Sequence, residues 1–221
     1  LRHVQLNTKK LNVSNDLYKI IEVSDILIIA IPSPYIDSTF ENHKDLLKDK
    51  IIISASKGVV PKSQLVISQH FHLNYGIKKT NLGIISGPCH AEEVALEKLS
   101  YLTVGVKRKA LGNYISKNLK SKFIKTSVST DIIGIEYSAT LKNIYSILVG
   151  ISHGLGYGDN FLSVLISHCA KELKLFIRTI HQTKRDINHS AYIGDLLVTT
   201  YSTFSRNRTF GNMIGKGYSM S

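Results

Sequence analysis

With 221 residues and 43% hydrophobic content, the chain can bury a core as one large domain or two small ones, which excludes a disordered protein. Its net charge of +12 could serve a nucleic-acid partner, but the lysines fall in short scattered groups (Lys78-Lys79, Lys107-Arg108-Lys109, Lys120 and Lys122) with no aromatic-interleaved basic stripe. A lysine-rich solvated surface is the favoured reading, and its positive field suits small anionic ligands. The longest apolar run, Ile26 to Pro32, is far short of the ~20 residues of a membrane helix, and the N-terminus shows no signal-peptide pattern. No membrane insertion is expected. Cys89 and Cys169 form no CxxC pair, so neither a metal site nor a disulfide framework is expected and a reducing cytoplasm fits.

In chain order, strands are predicted at Asp25 to Pro32, Ile51 to Ser56, Leu82 to Ser86, Tyr101 to Val106 and Phe123 to Ser127, with helical stretches between most of them. Wholly apolar runs such as ILIIAI suit strands covered on both faces. The first part, 1–130, is therefore expected to be an α/β, Rossmann-like, doubly wound and mostly parallel sheet. Long helices follow, from Ile132 to about Ser152 and from Phe161 to about His181, with Gly154, Gly156 and Gly158 turning one into the next. After a polar stretch around Thr183 to Ser190, a third helical region begins near Ile193, so 131–221 is expected to be all-α.

The chemistry concentrates at a few places. Lys57 directly follows the second strand, and open parallel sheets bind ligands at the carboxyl ends of their strands. SGPCHAEEVA (Ser86 to Ala95) is a strand, a tight Gly-Pro turn and a helix start whose free amides can hold an anion or a polar ligand. Lys142 sits among Ile132, Ile135, Ala139, Leu141, Val149 and Ile151 on a helix that reads as buried. Desolvation there lowers the pKa of an ammonium and fits it for proton exchange near neutral pH. Ser138 and Ser146 share its face. GLGYGD is not a phosphate-binding loop, because it follows a helix and not a strand. SRNR (Ser205 to Arg208) offers guanidinium forks and amides to phosphate oxygens. Asp195 reads either as a helix cap or as a group beside a reacting hydroxyl.

In order along the chain, IPS, SKG, GPxxAEEV, GIEYSATLKN, GLGYGDN, GDLLVTTYS and SRNRTFG resemble the NAD(P)-dependent glycerol-3-phosphate dehydrogenase family of bacterial type. The resemblance implies hydride transfer between sn-glycerol 3-phosphate and dihydroxyacetone phosphate with NAD or NADP, supplying phospholipid synthesis. It also implies a small phosphate substrate and no nucleic acid, and a homodimer is one assembly open to it. Carried over by motif, Lys142 is the proton acceptor, with Asn143 beside it, and Lys57 touches cofactor and substrate. Gly87 and Cys89 approach the substrate and Ala91 the cofactor. Asp195, Thr199, Ser205, Arg206 and Asn207 lie at the substrate, Arg206 also reaching the cofactor, and Tyr35 is a cofactor contact. Cys89 stands where the family carries a hydroxyl, and a thiol is the weaker donor. No GxGxWG turn and no tryptophan occur, so the resemblance marks the sequence as a fragment lacking both ends. Two alternatives stay open: a dehydrogenase of the 6-phosphogluconate or β-hydroxyacid type, and a truncated, non-catalytic chain.

Overall fold

The computed structural model describes residues 8–219. α1 (Leu17–Val23) starts at Asp16, whose carboxylate accepts the amide of Lys19. β1 (Ile26–Ile29) follows, then two short helices, α2 (Ile36–Phe40) and α3 (Lys44–Leu47), and then β2 (Ile51–Ser54). A hairpin of β3 (Val59–Val60) and β4 (Leu65–Val66) leads into α4 (Ile67–Tyr75). The chain continues through β5 (Leu82–Ser86), α5 (Ala91–Ala95), β6 (Ser100–Val106), α6 (Lys109–Leu119) and β7 (Ile124–Ser129). Thereafter it is helical: α7 (Ile132–Gly154), α8 (Asp159–Ile180), a π-helical turn at Ser190–Gly194, α9 (Asp195–Tyr201) and α10 (Arg206–Gly215).

The five-stranded sheet has the order β1-β2-β5-β6-β7, so β5 is central, and all five of its residues are buried. All its pairings are parallel except β5 with β6. That exception has a local cause: the connection holds only the short α5, and Tyr101 N–H donates back to the Pro88 carbonyl at 3.1 Å. The chain returns beside the strand it has just left and does not cross over. Successive residues point to opposite faces, as a strand requires. Ile52 packs with Ile21, Ile36, Phe71 and Tyr75, whereas Ile53 packs with Val104, Val106 and Ile115. Helices cover both faces, which is the doubly wound arrangement expected from the apolar runs. The β3–β4 hairpin occupies a stretch where the sequence predicts no strand, and Gln64 closes it at φ 55.

Ile84 of the central strand belongs to a core formed mainly by the later helices, with Ile135 and Tyr145 of α7, Leu173 and Ile177 of α8, and Leu196 of α9. α8 buries Leu162, Ile166, Cys169, Leu173 and Ile177, one apolar stripe at helical spacing. α7 is buried on most sides, including Lys142, Ser138 and Ser146. Its N-terminus is capped by Asp131, which also binds His181 at 3.1 Å, Arg185 Nε at 2.7 Å and the Tyr192 hydroxyl at 2.7 Å. The polar stretch after α8 is thereby tied down before the chain enters α9.

Candidate active site

Lys142 is only 5% exposed, and its Nζ donates to Asp195 Oδ1 at 2.5 Å. Asp195 lies in the first turn of α9, itself buried, and its Oδ2 accepts the Ser86 hydroxyl at 3.2 Å from the end of β5. Three elements thus meet at one carboxylate. Burial pushes the Lys142 ammonium down to about 8, the negative charge of Asp195 opposes that shift, and the like charge of Lys57 adds to it. The side chain can therefore hold or release a proton near neutral pH.

Lys57, Cys89, Ala91, Lys142, Asn143, Thr199, Ser205, Arg206 and Asn207 line one cleft of about 880 Å³, together with His90, Glu92, Phe204 and Phe210. Lys57 reaches it from the end of β2. Gly58 follows at φ 107, where a Cβ would stand 3.1 Å from the Ser33 hydroxyl, so glycine lets this turn close against the segment after β1. A more apolar cavity of about 300 Å³ between α4, α7 and α8 gathers none of these residues.

Three expected site residues do not line the cleft. Asp195 lies behind Lys142, bonded to its Nζ. Gly87 sits at φ 138 with the Tyr101 carbonyl only 2.6 Å from where a Cβ would be, so it shapes the return that carries Cys89 to the cleft. Tyr35 lies in a 3₁₀ turn after β1 and is 61% exposed.

At the opposite wall, Ser205 is the N-cap of α10, its hydroxyl accepting the Arg208 amide at 3.3 Å. The same Oγ lies 3.0 Å from Ser146 Oγ, and Ser146 also donates to the Thr199 carbonyl at 2.8 Å. The Thr199 hydroxyl donates within its own helix, to the Asp195 carbonyl at 2.6 Å. Arg206 and Asn207 stand in the first turn, where free amides and the helix dipole favour an anion. SRNR is therefore a capped helix start and not a loose basic turn. Sequence reasoning missed Ser86 and, in the cleft lining, His90, Glu92, Phe204 and Phe210. Ser86 and His90 fall inside the motif SGPCHAEEVA, but nothing local says that Ser86 meets a residue far along the chain.

Comparison with known proteins shows the family. The family profile "NAD-dependent glycerol-3-phosphate dehydrogenase N-terminus" matches residues 1–112, and the corresponding C-terminus profile matches residues 131–221. The chain belongs to this family. The glycerol-3-phosphate dehydrogenase [NAD(P)+] of Chlorobium limicola is 30% identical over 212 residues, covering 95% of this chain and 64% of that protein. The Bacillus subtilis protein of the same name is 30% identical across 100% of this chain and 64% of its own length. The chain thus spans less than two thirds of these relatives. Among solved structures, the glycerol-3-phosphate dehydrogenase of Coxiella burnetii superposes with a TM-score of 0.85 at 26% identity, covering 92% of this chain and 62% of that one. The glycerol-3-phosphate dehydrogenase family thus accounts for both the α/β part and the helical part. Among the described residues, no helix is long and apolar enough to cross a membrane.

Proposed function

We propose that this chain carries the proton-transfer and substrate-phosphate machinery of an enzyme that interconverts sn-glycerol 3-phosphate and dihydroxyacetone phosphate with NAD or NADP. Its product would feed phospholipid synthesis in a reducing cytoplasm. The observation that supports this reading best is the buried Lys142–Asp195 pair at 2.5 Å, behind a cleft that also holds Lys57, Arg206 and Asn207.

In the reducing direction, the phosphate of dihydroxyacetone phosphate rests at the start of α10, on Arg206 and Asn207. That places the carbonyl oxygen toward Lys142, whose ammonium donates the proton the new hydroxyl needs. In oxidation the neutral amine takes that proton back. Asp195 holds Nζ in place, and Lys57 offers a second cation to the oxygen-rich ligand. The donor set also fits the nicotinamide end of a dinucleotide, with Lys57, Ala91 and Arg206 on the cleft wall and the parallel strands β1 and β2 ending nearby. When bound, the nicotinamide supplies or accepts the hydride. Tyr35, exposed beyond the cleft, is left with the outer part of the cofactor. The β-hydroxyacid reading is disfavoured by Ser146: those enzymes resemble one another in a KxxxN spacing, whereas here the residue four after Lys142 is a buried serine bonded to Thr199 and Ser205.

The test is an assay of the full coding polypeptide for oxidation of NADH or NADPH with dihydroxyacetone phosphate. Turnover with at least one cofactor is expected. Lys142→Met should abolish it while circular dichroism stays unchanged. Absence of turnover with both cofactors, or normal turnover by the variant, would overturn the proposal.

A further inference from the structure

Asp195 would be a poor holder of Lys142 if only one of its oxygens were fixed. A carboxylate on the first turn of a helix can rotate about its side-chain bonds, and Lys142 occupies Oδ1 alone. The second oxygen is engaged from a different layer of the molecule: Ser86, 2% exposed at the end of the central strand, donates its hydroxyl to Oδ2 at 3.2 Å. With Asp195 only 1% exposed, water is not at hand to replace that hydroxyl.

We propose that Ser86 is a positioning residue for the proton-transfer lysine, locking the Asp195 carboxylate so that Lys142 is presented to the cleft in one orientation and with a shared counter-charge. Ser86 is not among the residues that line the cleft; it acts through Asp195. The charged and titratable groups around the pair are Lys57, which faces Lys142, and Cys89, which feels both Lys57 and Asp195. None of these supplies a second donor to Asp195 Oδ2 among the described contacts. The hydroxyl draws part of the carboxylate's charge. Removing it returns that charge to Lys142, favours the ammonium, and moves the proton-release midpoint upward. A residue serving only the packing of the strand would lower stability and leave that midpoint where it was.

This inference rests on the catalytic reading of Lys142, so the experiment has one arm independent of turnover. Competitive acetylation with acetic anhydride, followed residue by residue by mass spectrometry, measures the pH at which Lys142 becomes reactive in the wild type, Ser86→Ala and Ser86→Thr. In the alanine variant the midpoint should rise, kcat for glycerol 3-phosphate oxidation near neutral pH, which needs the neutral amine, should fall about tenfold, and KM should change little, because Arg206 and Asn207 are untouched. The threonine variant, which keeps the hydroxyl, should restore both. If Ser86→Ala is insoluble, the near-isosteric Ser86→Cys, a weak donor, should show the same upward shift. An unmoved acetylation midpoint in the folded variants overturns the inference, whatever the activity assay gives. A wild type without turnover overturns the catalytic reading and leaves the acetylation result to decide the role of Ser86.

Discussion

Lys142 derives its chemistry from its surroundings, and two of its neighbours pull in opposite directions. Burial and Lys57 favour the neutral amine, while Asp195 favours the ammonium, leaving the midpoint at about 8. Under the proposed reaction, oxidation of glycerol 3-phosphate needs the amine as base, so its rate should rise as pH passes through that region. Reduction of dihydroxyacetone phosphate needs the ammonium and should decline over the same interval. Asp195→Asn removes the partner that, among the described residues, holds the proton on, so the midpoint should drop below about 8 in pH–rate profiles taken in both directions. Its cost in stability is that of leaving one member of a buried pair alone, about 3–5 kcal/mol by denaturant unfolding. Arg206→Ala should raise KM for dihydroxyacetone phosphate more than tenfold with a smaller change in kcat, since a charge-assisted phosphate contact is present before and during reaction. An unchanged KM would move the phosphate elsewhere in the cleft. Much of this was legible from the sequence. A lysine among isoleucines is a conspicuous misfit, and SRNR is a dense set of donors. Ser86 was not legible as a partner of Asp195, because a serine ending a buried strand looks the same whether or not a distant carboxylate reaches it.

The element that carries Arg206 and Asn207 is seated by glycines. α10 lies so close to α7 that a Cβ on Gly211 would fall 2.1 Å from the Ile147 carbonyl, and one on Gly150 would fall 2.2 Å from the Arg208 carbonyl. Gly154 and Gly215 repeat the contact one turn further on. Only backbones without side chains approach at this separation, so the two helices fix each other's position along their axes. Gly211→Ala should push α10 away, costing about 1–3 kcal/mol and weakening phosphate affinity, because the capped start of the helix moves with the rest. Calorimetry with inorganic phosphate, alongside thermal unfolding, would read both effects. An alanine variant with unaltered Tm and affinity would show that the interface can yield. The glycine spacing is present in the sequence as GISHG and GNMIG, but it acquires meaning only when two helices are known to cross there. The β5–β6 reversal escaped a periodicity reading for a related reason: alternation marks a strand and not its direction.

At the scale of the whole molecule, the sheet part and the helical part are joined by more than a linker. Glu136 of α7 is buried and reaches the first turn of α4, where its carboxylate accepts the Ser68 amide at 2.9 Å and a short bond from the Ser68 hydroxyl. Burial raises this carboxyl to about 7, against the lowering effect of the Ser68 bonds. The folded state therefore keeps a proton that the unfolded chain has already lost. This contribution is full below the ordinary carboxyl value of 4.5 and is lost as pH rises through about 7. Glu136→Gln, which retains an acceptor without the charge, should flatten stability over that window and make the protein more stable than the wild type at pH 8, by about 1–3 kcal/mol. Urea unfolding at several pH values would show it, and an unchanged slope would mean that the carboxyl is solvated in solution. The fold class, a mostly parallel α/β part followed by a helical part, could be read from the apolar runs and the long helical periods. The joints between the two parts could not, since each depends on residues far apart in sequence. Ile84 and Ile85, adjacent in the central strand, belong to different cores, one shared with α7, α8 and α9. The middle of the sheet is therefore common property. A scissors cut at 130 would strip Ile84 of its cover and Asp195 of Ser86, so any exchange of the helical half between relatives must carry a matching central strand with it.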